Sequence, residues 1–185
     1  MKIKNLFATS LFCLISIFSF AQNSAIKGGF DFRTSDMGFA PGAKANIEFK
    51  MAEQWSIAAN VGFTVANQDP DRGDSYSTAY RGTSTNIISE VRFYVNEVFD
   101  GLYFNTRLGV RLMKSTYTST DTFNGITDTD IYEDNEVSGL FGVGMGYSIS
   151  VSERVIIDLH AAINGDSWSD VPVMFDGGVT VGYKF

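Results

Sequence analysis

Hydrophobic and polar residues alternate one by one along much of this chain. In residues 141–149 the odd-numbered positions are apolar, whereas glycine and serine occupy the even-numbered positions. Alternation over five or more residues indicates a β-strand with one apolar and one polar face. The pattern recurs eight times and predicts an all-β fold with strands centred on residues 26–33, 43–50, 55–65, 90–95, 104–112, 141–149, 155–164 and 175–185.

The connections between these segments alternate in length. Short links lie near residues 52–54, 96–101 and 151–153, and longer polar links span residues 34–38, 67–83, 115–136 and 165–173. Short turns on one side and long loops on the other are typical of outer-membrane barrels, in which an even strand number returns both termini to one side. The predicted architecture is therefore an eight-stranded antiparallel up-and-down transmembrane β-barrel.

The first 21 residues have the anatomy of a secretory signal peptide. Lys2 and Lys4 form a basic start, Leu6 to Phe20 is apolar, and small residues precede a cleavage position ahead of Gln22. We therefore predict a signal peptide over residues 1–21 and a barrel domain over residues 22–185. Removing Lys2 and Lys4 makes the net charge of −7 more negative by two, which argues against nucleic-acid binding. The single cysteine, Cys13, lies in the predicted signal peptide.

Two kinds of barrel fit eight alternating strands. A soluble ligand-binding barrel places its apolar face inside, whereas a membrane barrel places it outside, against lipid. In each of the eight segments, every second position belongs to the mainly apolar face, and none of these positions (the apolar parity) is Asp, Glu, Lys or Arg. The positions between them (the polar parity) carry charges of both signs. A charge facing the bilayer midplane costs about 2–4 kcal/mol, so its exclusion favours the membrane barrel.

The polar parity then defines the expected contents of the lumen. Buried charges are tolerated when they are paired, so we expect the inward side chains to form a salt-bridge network. The predicted polar network consists of Lys44, Glu48, Glu90, Arg92, Arg107, Arg111, Asp158, His160, Asp176 and Lys184.

The end of the chain carries a family resemblance. Val179-Thr180-Val181-Gly182-Tyr183-Lys184-Phe185 alternates and closes on an aromatic residue, which resembles the C-terminal signal read by the barrel-assembly machinery. The chain resembles the eight-stranded OmpA/OmpX-type barrels, in particular the short outer-membrane barrel proteins of Bacteroidota. The resemblance implies a location in the cell outer membrane. It also implies outer-membrane lipid and lipopolysaccharide as partners, and Val181, Tyr183 and Phe185 as the assembly signal.

Several residues raise the question of other chemistry. His160 is the only histidine and could serve as a general base in a lipid-A-modifying enzyme, but the expected position is in the lumen near Asp158. Gly142, Gly144 and Gly146 recur at period two inside a strand, so we expect them to make room for long Arg and Lys side chains rather than to bind a nucleotide. Two groups of acids, at residues 69–74 and 128–134, lack the spacing of a calcium loop.

The sequence therefore predicts no catalytic residue, cofactor or metal. It predicts a small, monomeric, non-enzymatic barrel with a side-chain-filled lumen, serving envelope integrity or binding an extracellular ligand through its loops. The alternatives are a narrow porin-like channel, a lipid-A-modifying enzyme and a soluble ligand-binding barrel.

Overall fold

The computed structural model describes residues 23–35, 38–72, 76–123, 126–167 and 173–185. They form eight strands: β1 Ser24–Ser35, β2 Gly38–Lys50, β3 Trp55–Arg72, β4 Tyr76–Tyr94, β5 Gly101–Phe123, β6 Ile126–Ser150, β7 Val155–Asp166 and β8 Val173–Lys184. Each strand pairs antiparallel with its neighbours in sequence, and β8 pairs with β1 to close the barrel. The predicted fold class is confirmed. The predicted signal peptide lies outside the described residues, and among those residues no helix is long and apolar enough to cross a membrane.

The register of the strands fixes the geometry of the closed barrel. When directly opposed residues are followed around the barrel from Ser24, the path returns to β1 at Thr34, a displacement of ten residues. A displacement of this kind accompanies a strand tilt of about 35–45° from the barrel axis. Because it is an even number, inward residues of one strand meet inward residues of the next all the way around.

The two faces of the wall are sorted by polarity. Outward positions are apolar and exposed, as in Leu108, Val110 and Val143, whereas inward positions such as Glu48, Glu90 and Arg92 are buried. The interior is therefore polar and the exterior apolar, which is the arrangement of a membrane barrel and the opposite of a soluble one.

The wall is much taller on one side. Strand β2 pairs with β3 only as far as Thr64, and β7 pairs with β6 only from Leu140, yet β3 to β6 remain paired with one another well beyond these points. Residues 65–72, 76–83, 114–123 and 126–136 thus form a four-stranded extension. The prediction of long loops over residues 67–83 and 115–136 was wrong. The apolar belt, the band of outward apolar side chains around the barrel, does not reach these residues, so they lack the hydrophobic alternation by which strands were recognised.

Both ends of the lumen are narrowed by apolar side chains. At the end of the barrel where β1 begins and β8 ends, the turn between β4 and β5 packs Val98 and Phe99 against Tyr94, Tyr103 and Ile156. At the opposite end, which carries the extension, Ile88, Leu140 and Met174 form a second cluster. We call these the terminal end and the loop end. Most of the charged side chains of the lumen lie between the two clusters, whereas Arg111 and Asp166 lie beside the second one.

Candidate functional site

The lumen contains a charge-balanced set of buried side chains. Among the described residues, six cations and six carboxylates are buried there together with His160: Lys27, Arg33, Lys44, Arg92, Arg107 and Arg111, and Asp31, Glu48, Glu90, Asp158, Asp166 and Asp176. Burial of an unpaired charge is costly, so equal numbers of the two signs are what a stable lumen requires.

Glu48 holds the terminal end of the network together. Its carboxylate lies 2.7 Å from Lys27 Nζ and 2.8 Å from Arg92 Nη1. It also accepts hydrogen bonds from the hydroxyls of Ser56, at 2.5 Å, and Tyr94, at 2.8 Å. Four donors therefore satisfy a side chain with no exposed surface. The donors come from β1, β3 and β4, so this one carboxylate on β2 ties four neighbouring strands together.

Asp158 plays the corresponding part on the opposite wall. It forms an ion pair with Lys27 and lies 3.1 Å from Arg92 Nη1. The Tyr103 hydroxyl donates to Asp158 at 2.7 Å, and the Arg92 guanidinium lies 4.8 Å from the centre of the Tyr103 ring. Stacking of a guanidinium on an aromatic face adds to the ion pair in a desolvated site. Besides its pairs with acids, Arg92 is thus held by an aromatic ring.

The middle of the lumen is a chain of alternating charges. Glu90 lies 2.7 Å from Arg92 Nη2 and 2.5 Å from Arg107 Nη2. Arg107 continues to Asp176, where Nη1 is 2.6 Å from the carboxylate, and Asp176 lies 3.6 Å from Arg33. The chain therefore crosses the barrel from β4 to β8.

Toward the loop end the network finishes in a smaller group. Arg111 Nη2 lies 2.5 Å from Asp166, and the Ser138 hydroxyl donates to the same carboxylate at 3.1 Å. Arg111 Nη1 also lies 2.9 Å from the sulfur of Met174. This contact joins the polar network to the apolar cluster at the loop end.

His160 lies in the lumen, but its partners differ from the predicted one. Nε2 is 2.9 Å from Asp31 Oδ1 and 3.2 Å from Lys44 Nζ, rather than beside Asp158. His160 and Asp158 are two residues apart on one strand and point the same way, whereas Gly178 stands between His160 and Asp31 in the pairing of β7, β8 and β1. The missing side chain at Gly178 lets the ring reach Asp31.

Lys184 was predicted in the network and lies outside it. It is the last residue of β8, at the mouth of the terminal end, and its ammonium donates to the Ser150 hydroxyl at 3.2 Å. The other nine predicted residues are all buried in the lumen. The three residues of the predicted assembly signal, Val181, Tyr183 and Phe185, point outward and are exposed.

Gly142, Gly144 and Gly146 on β6 make room for neutral side chains. A Cβ at Gly146 would lie 2.3 Å from the Tyr103 ring and hydroxyl, and one at Gly144 would lie 2.7 Å from the amide oxygen of Asn105. A Cβ at Gly142 would meet Asn164 at 2.6 Å. The space is therefore taken by a tyrosine and two asparagines, whereas the prediction named long Arg and Lys side chains.

Several members of the network were not among the predicted site residues: Lys27, Asp31, Arg33, Asp166 and the hydroxyls of Tyr94 and Tyr103. The three β1 residues share the polar parity of a strand with a weak apolar pattern, and that parity was the available signal. Asp166 ends β7, where no alternation follows. Tyr94 and Tyr103 share the polar parity of Glu90 and Arg107, but a tyrosine ring also fits the apolar face of a barrel strand, so parity alone did not mark their hydroxyls as members of the network.

The lumen has the chemistry of a structural core. Its carboxylates are held by cations, and the described part of the chain contains no group of three His, Cys, Asp or Glu placed to hold a metal ion. The side chains of the acids at residues 69–74 lie outside the described residues. Asp128, Asp130, Glu133 and Asp134 are exposed on β6.

Comparison with known structures supports the fold. The chain is similar to Ail, the attachment invasion locus protein of Yersinia pestis, which was solved in complex with the heparin analogue sucrose octasulfate. The two chains are 15% identical, the match covers 88% of this chain and 98% of that chain, and the TM-score is 0.57. It is also similar to the outer membrane protein OprG from Pseudomonas aeruginosa, with 11% identity, 89% and 96% coverage and a TM-score of 0.51.

A third similar structure is a major outer membrane protein from Thermus thermophilus, with 12% identity, 87% of this chain and 99% of that chain covered, and a TM-score of 0.51. At these identities the likeness establishes the fold. No curated protein sequence matches the chain. Residues 7–165 match a protein family, a span that covers most of the chain. The protein therefore belongs to the family described as protein of unknown function (DUF3575), and it has the closed eight-stranded fold of outer-membrane barrels.

Proposed function

We propose that the protein is a non-enzymatic, non-conducting barrel of the Gram-negative outer membrane. Residues 1–21 direct its export, the apolar belt anchors it in the bilayer, and the extension stands outside the cell, where it contacts other molecules. The barrel contributes to envelope integrity through its wall and to surface interaction through the extension. Lipopolysaccharide surrounds it, the barrel-assembly machinery inserts it, and it acts as a monomer.

The observation that carries this proposal is the filled lumen. Side chains bridge the interior from wall to wall, as in the run from Arg92 through Glu90 and Arg107 to Asp176. A cavity of about 10 Å³ remains between Asp31, Arg33 and Asn86, the size of a single water molecule. An eight-stranded barrel leaves room for little more than its own side chains. The interior thus supports a structural core and opposes a porin-like channel.

The belt supports the membrane location. Among the described residues, the first outward charges toward the loop end are Arg81, Lys114 and Glu133, and all three lie in the extension, beyond the level at which β2 and β7 have left the wall. Below them the described outward positions are apolar or small and uncharged. Charges that begin only above the belt fit a bilayer that ends there.

An enzymatic role finds little support in the geometry. His160 is enclosed between Asp31 and Lys44 inside the lumen, whereas a lipid-A-modifying site must open toward the membrane interface. Its ring is held by a carboxylate and an ammonium, and neither is a nucleophile poised for acyl transfer.

Two measurements test the proposal. Removal of Cys13 with the signal peptide leaves a cysteine-free chain, so single cysteines can be placed at Ile131 in the extension and at Glu153 in a terminal-end turn. A membrane-impermeant maleimide added to intact cells should label Ile131→Cys and spare Glu153→Cys until the cells are lysed. Purified protein in planar bilayers should show no channel openings. Labelling of Glu153→Cys alone would reverse the orientation, and steady conductance would establish the porin-like alternative.

A further inference from the structure

The inner face of the extension carries a row of tyrosines across three strands. Tyr80 on β4 lies directly opposite Tyr117 on β5, which lies directly opposite Tyr132 on β6. The rings of Tyr80 and Tyr117 are 5.0 Å apart at their centres. Exposure rises along the row from 7% at Tyr80 through 38% at Tyr117 to 61% at Tyr132. Tyr80 packs over Gly82 and supports Tyr117, while Tyr117 and Tyr132 present their rings to solvent.

Carboxylates surround this row on the same face. Side chains alternate along β6, so Asp128, Asp130, Asp134 and Glu136 share the inner parity of Tyr132, and Asp121 shares that of Tyr117 on β5. Asp121 and Asp128 lie directly opposite each other. Like charges directly opposed across a strand pair are destabilising. An arrangement that costs stability in the free barrel is explained if the charges are neutralised by something bound.

The charge on this face is unbalanced, in contrast to the lumen. Among the inner-face positions of β4, β5 and β6 that the structure describes in the extension there is no lysine or arginine, and none of the five carboxylates forms an ion pair with a described cation. One oxygen of Glu136 is buried without a hydrogen-bond donor from the described chain. On the outer face, by contrast, Lys114 lies 3.3 Å from Glu133.

We infer that the inner face of the extension binds a basic peptide segment, with Tyr117 and Tyr132 as the stacking surface and Asp130, Asp134 and Glu136 as the charge partners. Arginine suits this surface best, because its planar guanidinium stacks on an aromatic ring and pairs with carboxylates at its edge. Anionic ligands such as phosphates are repelled by the same acids. The inference rests on the proposed function in that the face must point away from the cell.

The alternation of β6 supplies a matched pair of variants. Tyr132→Ala with Asp134→Asn removes one ring and one charge from the inner face, whereas Ile131→Ala with Glu133→Gln removes one apolar side chain and one charge from the outer face of the same strand. Tyr132, Ile131, Asp134 and Glu133 are all exposed, so neither variant should disturb folding. Heat-modifiable gel mobility verifies that both barrels are folded.

Binding is measured with purified full-length barrel in lipid nanodiscs by the fluorescence anisotropy of labelled oligo-arginine, with oligo-glutamate and a neutral oligosaccharide as comparison probes. Oligo-arginine should bind, oligo-glutamate should not, and raising NaCl from about 0.05 M to about 0.5 M should weaken binding, because the Debye length shrinks. The inner-face variant should lose about tenfold in affinity, equivalent to ~1.4 kcal/mol, while the outer-face variant stays within about twofold.

Equal losses in the two variants would overturn the inference, since they would reduce it to non-specific attraction by net charge. Absence of oligo-arginine binding would overturn it outright. Binding of the neutral oligosaccharide that depends on Tyr132, without peptide binding, would replace the peptide by a carbohydrate. These measurements use purified protein, so their failure leaves the labelling test of membrane orientation untouched.

Discussion

Arg92 Nη1 lies 2.8 Å from Oε2 of Glu48, although strand β3 separates the strands that carry the two residues. The contact exists because the inward residue between them on β3 is small: Ser56 donates to Glu48 instead of filling the space. In a narrow barrel, cross-lumen pairs of this kind take the place of the apolar core of a soluble protein. The stability of the wall therefore depends on charges that cannot be removed singly.

Glu90 provides a direct test of that dependence. Glu90→Gln would leave Arg92 and Arg107 without their shared carboxylate, and breaking a buried pair costs about 3–5 kcal/mol. We expect a loss of this size in the free energy of unfolding, measured by urea titration of barrel folded in lipid vesicles.

The matched control for Glu90 is Glu133→Gln in the extension. It breaks an ion pair with Lys114 in which both side chains are more than half exposed, at 57% and 59%. Exposed pairs contribute about 0–1 kcal/mol, so this variant should unfold almost as the unmodified protein does. A small effect of Glu90→Gln, equal to that of Glu133→Gln, would contradict the assignment of the lumen network as a main source of stability.

The glycines of the wall offer a second comparison. A Cβ at Gly146 would lie 2.3 Å from the Tyr103 ring and 2.5 Å from the carbonyl oxygen of Leu159, so Gly146→Ala must displace the ring or the backbone. Overpacking of this kind costs about 1–3 kcal/mol, and the hydrogen bond from Tyr103 to Asp158 should weaken with it. Urea midpoints together with the near-ultraviolet circular dichroism of the tyrosines report both effects.

Gly28 is the control position for Gly146. A Cβ there meets its nearest atom, the carbonyl oxygen of Lys44, at 3.9 Å. Alanine fits without strain and restricts the unfolded chain, so Gly28→Ala should be neutral or stabilising by up to about 1 kcal/mol. If the two substitutions gave the same midpoint, the tight packing of Tyr103 against β6 would be disproved.

Phe99 tests the contribution of the apolar cluster at the terminal end of the lumen. Its backbone has a φ of 75°, in the region that only glycine adopts readily, while its ring is buried against Tyr94 and Tyr103. Phe99→Ala loses the ring and keeps the backbone strain, whereas Phe99→Gly loses the ring and relieves the strain. We therefore expect alanine to cost about 3–5 kcal/mol and glycine about 1 kcal/mol less. Urea titrations of both variants would contradict this account if alanine proved the more stable.

The sequence was sufficient to predict much of this structure because a bilayer imposes a strict rule. Outward residues of the belt must be apolar, so the parity of residues such as Val91 and Val143 fixes which of their neighbours enter the lumen. That rule located Glu48, Glu90, Arg92 and the other buried members of the predicted network. It has no force outside the belt, where both faces of a strand meet water, and the extension was accordingly mistaken for loops.

The partners of each lumen residue were beyond prediction for a different reason. Parity states that a side chain points inward, but the partner depends on the register between strands and on gaps such as Gly178. His160 was therefore placed in the lumen correctly and given the wrong carboxylate. Lys184 shows the same limit along the barrel axis, since parity cannot tell a residue in the middle of the lumen from one at its mouth.

The last prediction separates the lipid face from the assembly signal. Val110 lies within β5, outward and exposed, between Gly109 and the inward Arg111. Val110→Lys would place a charge in hydrocarbon at a cost of up to about 2–4 kcal/mol, and should lower stability on refolding into lipid vesicles, where no assembly machinery is present.

Phe185 packs edge-on against Tyr183 at the terminal rim, with ring centres 5.2 Å apart. A lysine there can extend its ammonium into water, so Phe185→Lys should refold in vesicles almost normally. In cells the second variant should instead reach the outer membrane poorly, because the terminal aromatic residue is the proposed assembly signal. Small and equal effects of the two substitutions in both assays would contradict the membrane barrel.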